Sequence, residues 1–125
     1  MTENEGIIRQ DLGRFGEEKA VDYLISRGYA ILERNFRCRL GEIDIIAEKD
    51  GTTVFTEVKL RKNSLYGAAA EFVNSSKQRK LRCTANFYLH GKASESPCRF
   101  DVIEIYAPRG REGPVKLNHI EDAFM

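Results

Sequence analysis

The sequence contains no long hydrophobic run, and this shortage excludes a class of proteins. No apolar stretch of the 125-residue chain approaches the ~20 residues that a membrane-spanning helix needs. The N-terminal residues MTENEG are polar and acidic, unlike the basic and apolar start of a secretory signal. We therefore expect a cytosolic, single-domain protein that does not act at a membrane.

Cysteine is scarce and is not arranged as a site. The three cysteines, Cys38, Cys83 and Cys98, form no CxxC pair, which favours neither a zinc site nor a disulfide framework. We expect them to be reduced thiols. The net charge is only +1, so the overall charge does not indicate the kind of partner.

Two strand-like segments dominate what the sequence does contain. Gly41–Ala47 and Val54–Leu60 are rich in Ile, Val, Phe and Thr, which are typical of β-strands. The Asp50-Gly51 pair between them favours a tight hairpin turn. If the turn closes symmetrically, the residue numbers of each facing pair sum to 101.

This register predicts an acidic patch on the hairpin. Asp44 falls opposite Glu57, and Lys59 shares a face with Glu57 because side chains alternate along a strand. Like charges directly opposite each other destabilise a sheet unless a cation lies between them. Carboxylate oxygens suit a hard divalent cation such as Mg²⁺ or Mn²⁺, whereas a cross-strand salt bridge is the simpler interpretation.

A further acid comes from the first predicted helix. Glu17 precedes Ala20, Val21 and Leu24 by three, four and seven residues, so it lies on the stripe that faces the sheet. It is either a third metal ligand, or a group that holds a metal-bound water, or an acid favoured by the helix dipole. Glu42 is predicted to point to the opposite face from Asp44 and to be a structural or surface acid.

Basic residues cluster on both sides of these strands. They form either solvated faces or a rim that binds phosphates around the acidic centre. The nucleic-acid-binding candidates are Arg37, Arg39, Arg61, Lys62, Lys77 and Arg79. The two histidines, His90 and His119, are expected at the surface.

The order of elements predicts an α/β sandwich around a mixed sheet, in the order α-β-β-β-α-β. Its core covers residues 11–106, between tails at 1–10 and 107–125. The first expected element is a helix from an Asp11 cap to Arg27, with Gly28 as its stop. A strand over Tyr29–Asn35, a basic connection over Arg37–Leu40 and the hairpin follow it. After these we expect a loop or short helical turn over Asn63–Val73, a helix capped by Ser75 or Ser76, and a strand over Arg99–Tyr106.

The candidate residues also carry a resemblance. Asp44 followed by Glu57-Val58-Lys59 resembles the PD-(D/E)XK nuclease superfamily, with Ile43 in place of the usual proline. A wider match over residues 12 to 106 resembles the YraN-like family of bacterial proteins. Its motifs are Gly16-Glu17-Glu18-Lys19-Ala20, Gly28-Tyr29, Asn35, Gly41 to Ala47, Phe55 to Arg61, Lys77-Gln78 and Arg99-Phe100-Asp101-Val102.

This resemblance implies a fold and an activity. The YraN-like family is similar in fold to archaeal Holliday junction resolvases, which are dimeric, Mg²⁺-dependent endonucleases. The implied fold is therefore restriction-endonuclease-like, with Glu17, Asp44, Glu57 and Lys59 at the four active-site positions. The implied activity is hydrolysis of phosphodiester bonds in branched or damaged DNA by a homodimer. The alternatives are a nucleic-acid-binding module of the same fold and a salt-bridged structural protein.

Overall fold

The computed structural model describes residues 3–61, 74–90, 92 and 97–124, which form two α-helices and a five-stranded mixed sheet. In chain order the elements are α1 (Glu3–Ser26), β1 (Ala30–Cys38), β2 (Gly41–Lys49), β3 (Thr52–Arg61), α2 (Ser75–Leu89), β4 (Cys98–Tyr106) and β5 (Lys116–Ile120). A 3₁₀ turn at Gly110–Glu112 lies between β4 and β5. The predicted α/β class is confirmed, and β5 adds a strand to the predicted order.

The strands lie in the sheet in chain order, and only β3 and β4 are parallel. The long connection between these two strands contains α2, as a parallel crossover requires. In the described part of the chain, no helix is long and apolar enough to cross a membrane. Lys62 and the loop predicted over Asn63–Val73 lie outside the described residues.

Helix α1 begins earlier than expected. The helix is continuous from Glu3. The predicted start at Asp11 was therefore wrong, and so was the predicted loose tail over residues 1–10 as far as the structure describes it, from residue 3 onward. Gly6 has the lowest helix propensity in that stretch, and one glycine costs about 1 kcal/mol relative to alanine. The predicted stop is confirmed: the helix ends at Ser26, and the Tyr29 amide donates to the Leu24 carbonyl across Gly28.

Two other boundaries also differ from the expectation. Strand β1 continues to Cys38, so Arg37 lies in a strand rather than in a connection, because pairing of Arg37 with Glu42 extends the β1–β2 ladder. Helix α2 is capped by Asn74, not by Ser75 or Ser76. The Asn74 side chain accepts a hydrogen bond of 2.9 Å from the Lys77 amide.

The β2–β3 hairpin follows the predicted register. Pairs run from Lys49↔Thr52 to Ile45↔Thr56, and each pair of residue numbers sums to 101. Asp50 and Gly51 both have positive φ angles, 50° and 80°, which is the conformation of a type I′ turn. Glycine adopts this conformation without steric cost at the second position.

The sheet separates two apolar cores. Neighbouring residues of a strand alternate between them: Ile45 packs in the α1 cluster, and Ile46 packs in the α2 cluster. Ala20 and Leu24 bring α1 to the first cluster, and Leu81 and Ala85 bring α2 to the second. One helix therefore covers each face of the sheet.

A buried polar network ties β4 to β5. Asp101 is 1 % exposed and accepts two hydrogen bonds of 2.8 Å from Arg99. His119 Nε2 lies 2.7 Å from Asp101 Oδ2, and His119 Nδ1 lies 3.0 Å from the Tyr23 hydroxyl. The surface position expected for His119 was therefore wrong, because β5 pairs with β4 and turns the ring toward α1. His90 is exposed, as predicted.

Candidate functional site

Asp44 stands where the β2–β3 ladder ends. The last backbone pair is Ile45↔Thr56, one step before the expected pairing of Asp44 with Glu57. Instead, the Val58 amide donates a hydrogen bond of 2.8 Å to Asp44 Oδ2. The side chain of Asp44 thus replaces a backbone acceptor and fixes its carboxylate between the two strands.

The surroundings of Asp44 disfavour its negative charge. Burial, and next the charge of Glu57, raise the pKa of Asp44 to about 7 from 3.8. The charges of Glu17 and Glu42 raise it further, and the hydrogen bond from the Val58 amide lowers it. The charges of three other carboxylates, Glu57, Glu17 and Glu42, therefore act on Asp44.

Two lysines share one oxygen of Glu57. Lys77 Nζ lies 3.1 Å from Glu57 Oε1, and Lys59 Nζ lies 3.8 Å from the same atom. Burial and the neighbouring Lys77 ammonium lower the pKa of Lys59. Burial also lowers the pKa of Lys77, but other contacts outweigh it, and the pKa lies above its ordinary value. These contacts are a hydrogen bond with Lys59, the charge of Glu57 and a hydrogen bond with Glu57. Lys77 was predicted to bind phosphate, whereas the structure places it against a carboxylate.

Two clefts meet at Asp44. The first, of about 470 Å³, lies on the α1 side and contains Glu17 and Asn35 beside Asp44. Asn35 Nδ2 is 3.5 Å from Glu17 Oε2 and orients that carboxylate. The second, of about 270 Å³, lies on the α2 side and contains Glu57, Lys77 and Lys80 beside Asp44. Glu17 and Glu57 thus approach Asp44 from different sides of the sheet.

The donor set fits a hard divalent cation in its chemistry. Asp44 and Glu57 offer carboxylate oxygens, and Asp44 Oδ1 accepts no hydrogen bond from the described residues. No group of three or more His, Cys, Asp or Glu side chains in the described ranges is close enough to hold a metal ion. A cation at Asp44 and Glu57 would therefore take its remaining ligands from water, as Mg²⁺ commonly does.

Glu42 does not lie on the face predicted for it. It lines both clefts together with Asp44, so the predicted opposite face was wrong. Residues two apart in a strand share a face, and this rule alone would have found it. Strand β2 is also irregular here. Ile43 and Ile46 are three residues apart, so strict alternation would place them on opposite faces, yet both pack in the α2 cluster. Arg14, Asn35 and Lys80 were also not singled out as site residues.

The predicted basic rim is only partly exposed. Arg37 lines the first cleft, and its Nε atom lies 3.4 Å from Glu42 Oε1. Arg39 and Arg79 are exposed, on the β1–β2 turn and on α2. Arg61 is largely buried, with its Nε atom 4.0 Å from the buried Glu104 carboxylate.

Fold and clefts define the class: an α/β protein with a mixed five-stranded sheet and an acidic, lysine-containing site at the end of a hairpin. Residues 16–105 match the model of the family described as "Uncharacterised protein family UPF0102", so the chain belongs to that family. A UPF0102 protein of Caldicellulosiruptor bescii is 49% identical over 117 residues, which cover 92% of this chain and 98% of the relative. A UPF0102 protein of Caldicellulosiruptor saccharolyticus is 44% identical, covering 93% and 98%. One from Clostridium botulinum strain 657 is 51% identical over 98 residues, covering 77% and 80%.

The raised pKa of Asp44 predicts how Asp44→Asn changes stability without metal. Between the unfolded pKa of 3.8 and the folded pKa of about 7, the native state holds a proton that the unfolded state has lost. Wild-type stability therefore falls as the pH rises through this window, and the penalty is complete above it. In EDTA at pH 8, the free energy of unfolding of Asp44→Asn should exceed that of the wild type by ~2–4 kcal/mol. Its melting temperature should therefore be several degrees higher. This advantage should shrink toward pH 5.

The matched control is Glu48→Gln, an exposed acid on the same strand. Its melting temperature should follow that of the wild type at every pH. If Asp44→Asn melts below the wild type at pH 8 in EDTA, the surroundings of Asp44 stabilise its charged form instead of disfavouring it.

Proposed function

We propose that this protein is a metal-dependent endonuclease that hydrolyses DNA phosphodiester bonds at the Asp44–Glu57–Lys59 site. The single observation that carries the proposal is that Asp44 and Glu57 line the same cleft, in which the Glu57 carboxylate lies 3.8 Å and 3.1 Å from the ammonium groups of Lys59 and Lys77. A divalent cation is the group that most directly relieves two adjacent buried carboxylates. The PD-(D/E)XK pattern of these residues and the likeness to YraN-like and Holliday junction resolvase proteins point to the same activity.

Each residue has a role in the proposed reaction. Asp44 and Glu57 would hold Mg²⁺ or Mn²⁺, and Glu17, across the first cleft, would hold one of its waters or add a ligand. When bound, the metal supplies Lewis acidity toward the phosphate and lowers the pKa of water. Lys59, 3.8 Å from Glu57, orients or deprotonates the attacking water or stabilises the negative charge of the transition state.

Substrate binding would depend on the basic residues around the clefts. Arg37 and Arg14 line the first cleft, and Lys80 lines the second. Arg39 and Arg79 add exposed cations nearby in the fold, and Lys62 remains a sequence-based candidate. Such residues bind the DNA backbone without reading its sequence, which suits a substrate defined by its branched or damaged shape. A cytosolic location and a homodimer are part of the proposal.

A panel of DNA substrates tests this function. Purified protein is incubated with linear, nicked, flapped and four-way-junction DNA in Mg²⁺, Mn²⁺ or EDTA. We expect cleavage with either metal, strongest on branched DNA, and none in EDTA. Binding of DNA without cleavage in any metal would instead support a nucleic-acid-binding module, and the absence of both binding and cleavage would support a structural salt-bridge network.

A further inference from the structure

Lys77 makes the closest ion pair in the candidate site. Its ammonium lies 3.1 Å from Glu57 Oε1, closer than the 3.8 Å of Lys59, the lysine on the same strand as Glu57. The charge of Asp44 also acts on Lys77, so this ammonium faces both carboxylates of the pair. Lys77 thus brings positive charge to the acidic pair.

The position of Lys77 on its helix is unfavourable for a lysine. It is in the first turn of α2, which contains no acidic residue. The N-terminus of a helix carries partial positive charge, so a cation there is disfavoured unless an anion compensates it. The Asn74 side chain fixes the Lys77 backbone at this point through a hydrogen bond of 2.9 Å. Glu57 is the compensating anion, and a phosphate would be an equally suitable one.

The Lys77 side chain has room to leave Glu57. It is 34% exposed and borders the second cleft, which opens next to Lys80. A lysine ammonium on a flexible stem of four carbons can move several ångströms without a change in the backbone. The helix start and the two lysines would then present three sources of positive charge to that cleft.

We propose that Lys77 and a divalent cation exchange at Glu57. In the metal-free protein the Lys77 ammonium neutralises Glu57. A metal ion bound at Asp44 and Glu57 displaces it, and the released ammonium binds a DNA phosphate in the second cleft. This inference rests on the proposed function, and it makes DNA binding in that cleft depend on the metal, because the Lys77 charge that neutralises Glu57 becomes available to a phosphate once the metal neutralises Glu57.

The first test measures Mn²⁺ affinity by calorimetric titration, without DNA. Lys77→Met removes the competing ammonium and keeps the apolar stem, so Mn²⁺ should bind at least ~5-fold tighter than to the wild type. The matched control is Lys80→Met, which removes a charge from the same cleft, whereas the ion pairs of Glu57 in the described residues are those with Lys59 and Lys77. Lys77→Gln is a second variant should Lys77→Met fold poorly.

The outcomes separate this inference from the proposed function. Tighter Mn²⁺ binding by Lys77→Met, with Lys80→Met near wild type, supports the exchange. Equal affinities in all three proteins would overturn the exchange and leave the metal site intact. A wild type and Lys77→Met that both bind no Mn²⁺ would overturn the exchange together with the metal site.

The second test measures DNA affinity in EDTA and in Ca²⁺, a hard cation that also takes oxygen ligands. Lys77→Met should weaken DNA binding several-fold in Ca²⁺ and leave it nearly unchanged in EDTA. Lys80→Met should weaken it in both conditions. An equal loss for Lys77→Met in EDTA and Ca²⁺ would show that Lys77 is already available to phosphate without metal, which contradicts the exchange.

Discussion

Lys59→Ala should lower the single-turnover rate of DNA cleavage by ~100-fold or more, while DNA affinity stays within about threefold of the wild type. The Lys59 ammonium lies 3.8 Å from Glu57 Oε1 and its side chain is 21% exposed. Under the proposed function we therefore expect it to act on the reacting phosphate rather than on the flanking DNA backbone. An interaction made mainly in the transition state changes the rate constant and not the affinity.

The neighbouring Val58→Ile is the matched control for Lys59→Ala. Val58 packs on the α1 side of the sheet and should tolerate one more methylene with little change in rate. If Lys59→Ala cleaves DNA as fast as the wild type under single-turnover conditions, Lys59 has no role in the chemistry. The Glu57–Lys59 contact would then be a structural salt bridge.

Asp101→Asn should lower the free energy of unfolding by about 3–5 kcal/mol, the largest loss that we expect for any of these variants. Asp101 is buried and takes hydrogen bonds from Arg99, from the Asp122 amide and through His119 Nε2. Burial alone would raise the pKa of Asp101, but the hydrogen bonds with His119 and Arg99 lower it, so the charged form is the stable one. Asparagine would remove that charge and turn an amide donor toward groups that donate.

Urea denaturation measures this loss, and Tyr29→Phe is its comparison. The Tyr29 hydroxyl accepts one hydrogen bond of 2.7 Å from Arg99 at the edge of the network, so its removal should cost only about 1 kcal/mol. If Asp101→Asn lowers the free energy of unfolding by no more than Tyr29→Phe does, the Asp101 carboxylate does not stabilise the packing of β5 on β4.

The hairpin could be predicted from the sequence because its determinants are local. Asp50-Gly51 fixes the turn, the turn fixes the register, and the register brings Asp44 toward Glu57. The strand residues on both sides are β-branched or aromatic, so local preference and tertiary structure agree. The α/β class followed from the alternation of such segments with helical ones.

The errors fall where partners come from distant parts of the chain. Nothing near His119 indicates that β5 will turn it toward Asp101, 18 residues away, so a surface position was the natural expectation. The contact between Lys77 and Glu57 likewise depends on how α2 packs on the sheet. The misplaced face of Glu42 is different, since strand alternation was available from the sequence.

A calorimetric titration of Mn²⁺ into the metal-free protein tests most directly whether Asp44 and Glu57 hold a divalent cation. We expect one saturable site in the wild type and in Glu48→Gln, and binding weakened by at least ~10-fold in Asp44→Asn, because one of two anionic ligands becomes neutral. Equal binding by the wild type and Asp44→Asn, or no binding by the wild type, would show that Asp44 and Glu57 do not form a metal site.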